Sequence, residues 1–451
     1  MNKRRINHKR GAAIITAVIF FVVISVTMAV GLSSPVVREY VTARDFEKSK
    51  GAYYLSEAGM EDAVYRVKKV LSISAQEVIS LGGNTATTTI TTESASRKTV
   101  SSLGDILRNT RRVKSTITTT TGESFMYGVW AGPGGVYMSA NATITGNLFS
   151  AGPVCGGATS GATCTGGSGT NVITGTVISG GTTGTNGTIA NIINQTDASM
   201  YAGNIKGSTI SGNAYCNTIS NSSTTTCQTL TAQTASDLPI SRADIVNWET
   251  IATNGGSVTC TGGKYIIGGT SNVNFGPKKV PCDLEITGTS GSGPTVTLQG
   301  PIWVTGNIKI KNKVTIKIDP ALEGQTIVMI ADKQSDLINS STVSVEGNEL
   351  SFTGAPGGNS WIMLISENNG ASLGNPSEAI ELEQGAAGDV LLYARLGDIK
   401  LSGDASVNEV TGYQITLTSN ANVTYSTGLQ NALFTSGPGG AWVVQDWKEG
   451  Q

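Results

Sequence analysis

Between Arg10 and Arg38 the chain carries no ionisable side chain. The heart of that stretch, Ala12 to Leu32, is apolar or small apart from Thr16, Ser25 and Thr27. An α-helix rises about 1.5 Å per residue, so roughly 20 residues cross a bilayer core, and this segment has that length. Lys3, Arg4, Arg5, Lys9 and Arg10 stand before it, and the positive-inside rule keeps such a head in the cytoplasm. The sequence therefore predicts a single membrane pass with a cytoplasmic N-terminus and everything beyond Leu32 at the cell surface. A secretory signal peptide has an apolar run of about 7–15 residues and then a small-x-small cleavage site. Here the run is longer and a helical pattern follows it, so a removable signal is the weaker reading.

Cysteine usage agrees with export. Cys155, Cys164, Cys216, Cys227, Cys260 and Cys282 fall into three sequence-near couples, Cys155–Cys164, Cys216–Cys227 and Cys260–Cys282, each closing a short loop. Exported proteins keep disulfides and cytoplasmic ones rarely do; buried thiols in a repetitive fold are the alternative. No couple has CxxC spacing and the single histidine, His8, lies in the basic head, which argues against a structural zinc site. Charged residues make up 14% of the chain and the net charge is −1, with no basic surplus beyond the head, so nucleic acid is not an expected partner.

Apolar residues keep a helical spacing past the membrane segment: Val37, Tyr40, Val41, then Leu55, Ala58, Ala63, Val64, Val67 and Leu71. The pattern predicts a stem helix over residues 12–71, with Pro35 kinking or interrupting it near the membrane surface. An amphipathic helix of this kind needs its apolar face covered, by a partner helix or by its own downstream domain.

Arg10-Gly11 followed by AAIITAVIFFVVISVTMAVG resembles the leader and N-terminal helix of type IV pilin-like proteins, most closely the minor pilins with a PilX-type N-terminal region. The stretch AYYLSEAGME, with Tyr53, Tyr54, Glu57, Ala58 and Gly59, adds to the likeness, which spans residues 9–71. The resemblance implies that a prepilin peptidase cuts after Gly11, leaving Ala12 as the first, methylated residue. It also implies other pilin-like subunits and the membrane as partners. One position departs from the family: major pilins carry glutamate at the fifth mature position, and here that residue is Thr16. A buried carboxylate would pair with a neighbour's terminal amine. Threonine cannot, which points to a minor pilin rather than the repeating subunit.

Beyond the stem the texture turns to β. Residues 72–125 are Thr-rich and read as strands or a linker. Residues 126–240 hold short alternating runs between glycine and asparagine turns, as in GVYMSANATITGNLFSAG, the texture of a parallel β-solenoid. A short helix is expected over residues 241–252, capped by Ser241 with Asp244, and packing through Ile245, Val246, Trp248 and Ile251. Stronger strands fill residues 259–451. TIVMI, WIMLI and VLLYA read as strands buried on both faces, and NIKIKNKVTIKID as one with Lys309, Lys311 and Lys313 in solvent. GPGG at 132–135 reads as a turn, and Trp442 and Trp447 as a cap on an open solenoid end. The expected fold is mainly β: a long N-terminal helix followed by an irregular parallel β-helix or solenoid-like ectodomain. The YQITLTSNANVTYSTGL stretch near the C-terminus resembles, more loosely, the tails of PilX-like proteins with glycine-rich solenoid bodies.

No catalytic constellation is legible. Glycoside hydrolysis needs two carboxylates at a set separation, and the acidic residues, Asp332 and Asp398 among them, are scattered. Glu378, Glu381 and Glu383 are the densest set; they offer oxygens of the kind calcium takes and equally read as a solvated loop. Gly262-Gly263-Lys264 lacks phosphate-loop spacing. The expectation is a non-enzymatic protein without a cofactor: a minor pilin-like subunit of a type IV pilus or related filament or secretion system, presenting a β-rich body at the surface. The alternative is a single-pass anchored adhesin that binds surface glycans or another cell and never enters a filament.

Overall fold

The computed structural model describes residues 9–68, 73–94, 97–119, 127–158, 164, 170–234, 238, 240–289, 291–375, 377–426, 428–429, 432–434 and 442–450. The leader residues 1–8 and Leu71 lie outside them. The chain forms two compact units, one of residues 1–118 with 442–451, the other of residues 119–441. The larger is thus inserted, in chain order, between two segments of the smaller.

In the smaller unit α1 (Lys9–Lys68) is one helix of 60 residues. It runs through Pro35 without interruption, contrary to the expected break. By environment the helix has two halves. Ile14, Phe20, Phe21, Leu32, Tyr40 and Phe46 are exposed, and the segment beginning at Ala13 is long and apolar enough to cross a membrane. From Ala52 onward one face is buried through Ala52, Leu55, Ser56, Met60, Ala63, Val64 and Val67.

The cover is the chain's own sheet. Strands β1 (Gln76–Leu81), β2 (Asn84–Ser94), β3 (Arg97–Ile106) and β4 (Asn109–Thr119) are antiparallel neighbours in order. Val100, Val113 and Ile117 meet the helix residues Met60, Ala63, Val64 and Val67 in one core. Small residues at the i, i+4, i+7 positions Ala52, Ser56 and Gly59 let helix and sheet approach closely. A side-chain carbon at Gly59 would stand 2.6 Å from Ser102 Oγ and 2.8 Å from Thr88 Oγ1; one at Gly104 would strike the Ala52 carbonyl oxygen.

The fifth strand of this sheet is Trp442–Gly450, beside β4. The C-terminus therefore does not cap the solenoid. Val444 packs toward the helix core, Thr116 donates its N–H to Asp446 Oδ1 at 2.6 Å, and Arg111 pairs with Glu449 at 2.8 Å. Sequence alone does not name the sheet edge that this strand completes. Trp447 is 39% exposed, and the Trp442 side chain lies outside the described residues.

The larger unit is a parallel β-helix whose walls, among the described residues, are a sheet of nineteen strands and one of ten. Its winding begins in the middle of the stack. The ingoing strand Val129–Met138 lies between Leu148–Ser150 and Val154–Gly156 on one side and the outgoing strand Glu409–Leu417 on the other. From the ingoing strand the turns climb to Ala214–Ser220 at one end. The chain then returns to the other end, starts again at Lys264–Gly268, and winds back until Val410 meets Val129 and Leu417 meets Met138 in parallel register. The GPGG segment is a register shift inside the ingoing strand rather than a turn. There Gly152 and Gly135 press so close to their neighbours' backbone that a side chain on either would collide with it.

Inward alternation supplies the lumen core, for example Ile144, Ile310, Ile316, Leu364, Leu392 and Ile415. Both stack ends would leave that core open, and a disulfide sits near each: Cys216–Cys227 at one, Cys260–Cys282 at the other, with Cys155–Cys164 in a turn between. No cysteine is free among the described residues.

The return segment crosses the outside of the wall. It carries α2 (Arg242–Asn254), whose Ser241 cap and Asp244 form a capping box. Ile245 and Trp248 pack on Val328, Ile330, Met363, Ile365, Leu391 and Tyr393, joined by Leu429, Ala432 and Phe434. TIVMI, WIMLI and VLLYA are accordingly buried on both faces. Val246 does not pack; it is 44% exposed.

Replacing Gly104 with valine is expected to destabilise the smaller unit by about 1–3 kcal/mol, the usual cost of overpacking, because the obstruction is helix backbone rather than a movable side chain. Thermal melts followed by circular dichroism check this, and an unchanged melting profile would refute the close packing.

Candidate functional site

The stem motif is chiefly a packing device. Gly11 and Ala12 lie in the first turn of α1. In AYYLSEAGM the small residues Ala52, Ser56 and Gly59 face the sheet, while Tyr53 is half-buried and Tyr54 64% exposed. Their rings meet edge to face at 5.9 Å.

Glu378, Glu381 and Glu383 converge on a lysine. Lys400 Nζ stands 2.5 Å from Glu381 and 3.9 Å from each of the other two, so an ammonium occupies the place where an ion would be sought. Among the described residues no group of three or more His, Cys, Asp or Glu side chains is arranged to hold a metal. The same wall carries Lys264 and Lys311 on Glu285 at 3.0 and 3.1 Å and Lys309 on Glu346 at 2.8 Å. Lys264, Glu285, Lys309 and Glu346 line a groove of about 340 Å³. Lys309, Lys311 and Lys313 do face outward, as the alternation predicts, each with a glutamate partner.

Sequence reading missed a buried ionic cluster under α2. Arg242 reaches Asp332 at 2.6 Å and Glu249 and Glu367 at 3.2 Å, and Arg395 approaches Glu367 at 3.6 Å. Asp332, Glu249 and Glu367 are all buried. Burial raises the Glu249 carboxyl to about 8, with Asp332 adding to the shift, and raises Glu367 as well. The arrangement clamps the return segment to the ends of the strands it crosses. The Tyr393 hydroxyl adds a bond of 2.7 Å to the Ile240 carbonyl. Only a glutamate on the helix face of Ile245, Trp248 and Ala252 hinted at it; Asp332, Glu367 and Arg395 come from separate turns.

Two more carboxyls are buried where the outgoing strand lies. Glu409 is wholly enclosed; Thr411 donates its hydroxyl to Oε1, and Oε2 has no hydrogen-bond partner among the described residues. Desolvation lifts its pKa to about 8. Asp398, lifted by burial to about 7, accepts from Gln414 at 3.0 Å. No pair of these groups faces an open cleft in the manner of an acid and a base.

Comparison with known proteins gives one structural likeness to report. The competence-associated pilin ComZ from Thermus thermophilus is similar over 89% of this chain and 97% of that one, at 11% identity and a TM-score of 0.38. No family model matches the chain, and no curated protein matches it.

Glu249, Asp398 and Glu409 hold protons in the folded protein at pH values where the unfolded chain has released them. Between the ordinary carboxylate range near pH 4 and about pH 8, the folded state binds more protons, so stability falls as pH rises. The salt-bridged Glu285 and Glu346 are shifted downward and act on the acid side of that window. The melting temperature of the solenoid is expected to drop from pH 5 to pH 8.5, with a shallower slope in Glu409→Gln. A rising profile, or an unaltered slope in the variant, would contradict the assignment.

Proposed function

We propose that this chain is a minor pilin-like subunit: a stem helix held in the membrane before assembly and packed among other stems afterward, carrying the inserted β-helix at the cell surface. The observation that carries the reading is the split character of α1, uncovered from Ile14 to Phe46 and closed by the chain's own sheet from Ala52 to Val67. A plain anchor needs roughly 20 apolar residues; here exposed apolar side chains continue to Phe46, well past the bilayer length, as a helix does that packs beside other helices. In this reading a prepilin peptidase removes the head after Gly11, the N-terminus is cytoplasmic before cleavage, and Ala12 leads the mature chain.

Thr16 at the fifth mature position is neutral and short, so it supplies no charge pair to an incoming terminal amine. The body is also large beside its stem: residues 119–441 form one unit. Both features suit a tip, priming or sparse accessory position better than every position of a filament.

Intact mass and N-terminal sequencing of the protein from its native host are expected to find Ala12 first. A chain beginning at Met1, or cut well beyond Leu32, would overturn the prepilin reading. Quantitative mass spectrometry of sheared filaments is expected to find the chain well below the most abundant pilin-like protein. Parity with that protein would refute the minor role, and complete retention in the membrane fraction would favour the anchored adhesin.

A further inference from the structure

The β-helix has three kinds of outer surface, and two are occupied. The wall of Gln325–Ala331, Ile362–Ser366 and the first half of Val390–Leu401 lies under α2 with Leu429, Ala432 and Phe434. The wall around Glu285, Lys309, Glu346 and Lys400 is taken up by its own ion pairs. Among the described residues the ten-stranded sheet carries neither α2 nor an ion pair.

On that sheet most strands alternate. Ile144, Val296, Ile316, Phe352, Val407 and Val423 point into the core. The residues between them point out, and parallel pairing aligns them in columns along the stack. One column runs Thr295, Thr315, Ser351, Ala387, Ser406, Asn422, Thr143 in unbroken register and ends on Val172 and Ile193. Beside it Thr353, Thr424 and Thr145 are exposed, with Thr424 paired to Thr145. Neighbouring groups lie within hydrogen-bond reach: Ser351 Oγ donates to Thr315 Oγ1 at 3.2 Å and Asn422 Nδ2 to Thr424 Oγ1 at 3.0 Å. Among the residues of these strands Lys317 is the one ionisable side chain.

We propose that this face binds a linear, neutral polysaccharide laid along the axis of the stack; the proposal rests on the reading that the body is displayed outside the cell. The chemistry selects the ligand. Nucleic acid and acidic glycans need lysine and arginine against their charges, and the face has a single lysine. A stable protein interface centres on a cluster of buried aromatic and aliphatic anchors, and here aliphatic side chains stand only at one end of the column, at Val172 and Ile193. What they offer is hydroxyl and amide groups, donors and acceptors together, repeated at the inter-strand step of about 4.8 Å. They stand on a backbone fixed by its own ladder, so little ordering accompanies binding. A repeating polyhydroxylated chain without charge complements that array.

The test uses the full-length protein in a detergent without a sugar headgroup. Affinity electrophoresis and calorimetry would run against dextran, β-1,3-glucan, β-1,4-mannan and cellohexaose, with heparin and duplex DNA as charged controls. At least one neutral glycan is expected to bind, with little dependence on salt. The triple variant Thr143→Val/Thr145→Val/Thr424→Val keeps the branched shape and the strands, and should weaken binding about tenfold or more, since three hydroxyls each contribute a modest bond. Lys317→Gln should bind as the parent does. Failure of every neutral glycan, indifference to the triple variant, or preferential, steeply salt-dependent binding of heparin or DNA would each overturn the proposal. Because binding is measured on purified protein, its failure leaves the subunit reading standing, and failure of leader processing leaves the binding result standing.

Discussion

The larger unit depends on one seam, the parallel pairing of Val129–Met138 with Glu409–Leu417 and, on the ten-stranded wall, of Thr143–Thr145 with Asn422–Thr424. Most other pairings between successive turns of the β-helix join segments that follow one another closely in the chain. The seam joins its first turn to its last. Without it the molecule would be two short solenoids, each with an additional open end, and an open end exposes both apolar core and unpaired strand edge. The Ala140 and Asn141 corner, with φ of 50° and 65°, continues the left-handed corners at Ser419 and Asn420, with φ of 53° and 61°. Asn420 Nδ2 in turn reaches Asp404 at 3.0 Å. The seam thus reproduces the geometry of an ordinary turn.

That topology has two consequences. Ingoing and outgoing strands are neighbours, which lets the body be inserted in chain order between β4 and the C-terminal strand, themselves adjacent in the smaller unit's sheet. The chain must also travel back along the stack before its second half can begin. The return segment runs past an outer column in which Trp303, Ile330, Ile365 and Tyr393 are successive register partners. Ile245 and Trp248 close over part of it, and the Arg242 cluster fixes the helix at its first turn. Buried ion pairs contribute little net stability against apolar packing; what this one adds is a fixed position for the segment on the wall.

Local rules were legible in sequence where one face of one element decides the structure. Doubly apolar runs marked the strands under α2, Ser241 and Asp244 marked its start, and alternation marked the lysine wall. The long helix and the parallel β body follow from the same periodicities. What could not be read was long-range pairing. Nothing in AWVVQDW distinguishes a solenoid cap from a fifth antiparallel strand, because the difference lies in the edge of β4. Nothing in GPGG distinguishes a turn from a register shift beside Tyr413, and nothing near Glu378 announces Lys400 from the next turn. Nothing in sequence joins Gly59 of the stem to Gly104 of β3, yet both lie where helix and sheet approach too closely for a side chain.

Native-state hydrogen exchange on the full chain, resolved by peptide, tests the seam most directly. If the two halves form one cooperative β-helix, amides of Val129–Met138 and Glu409–Leu417 will be protected as strongly as those of the interior strand Val390–Leu401 and will open with it in a single step. Early exchange confined to the two seam strands, with each half remaining closed, would contradict the account.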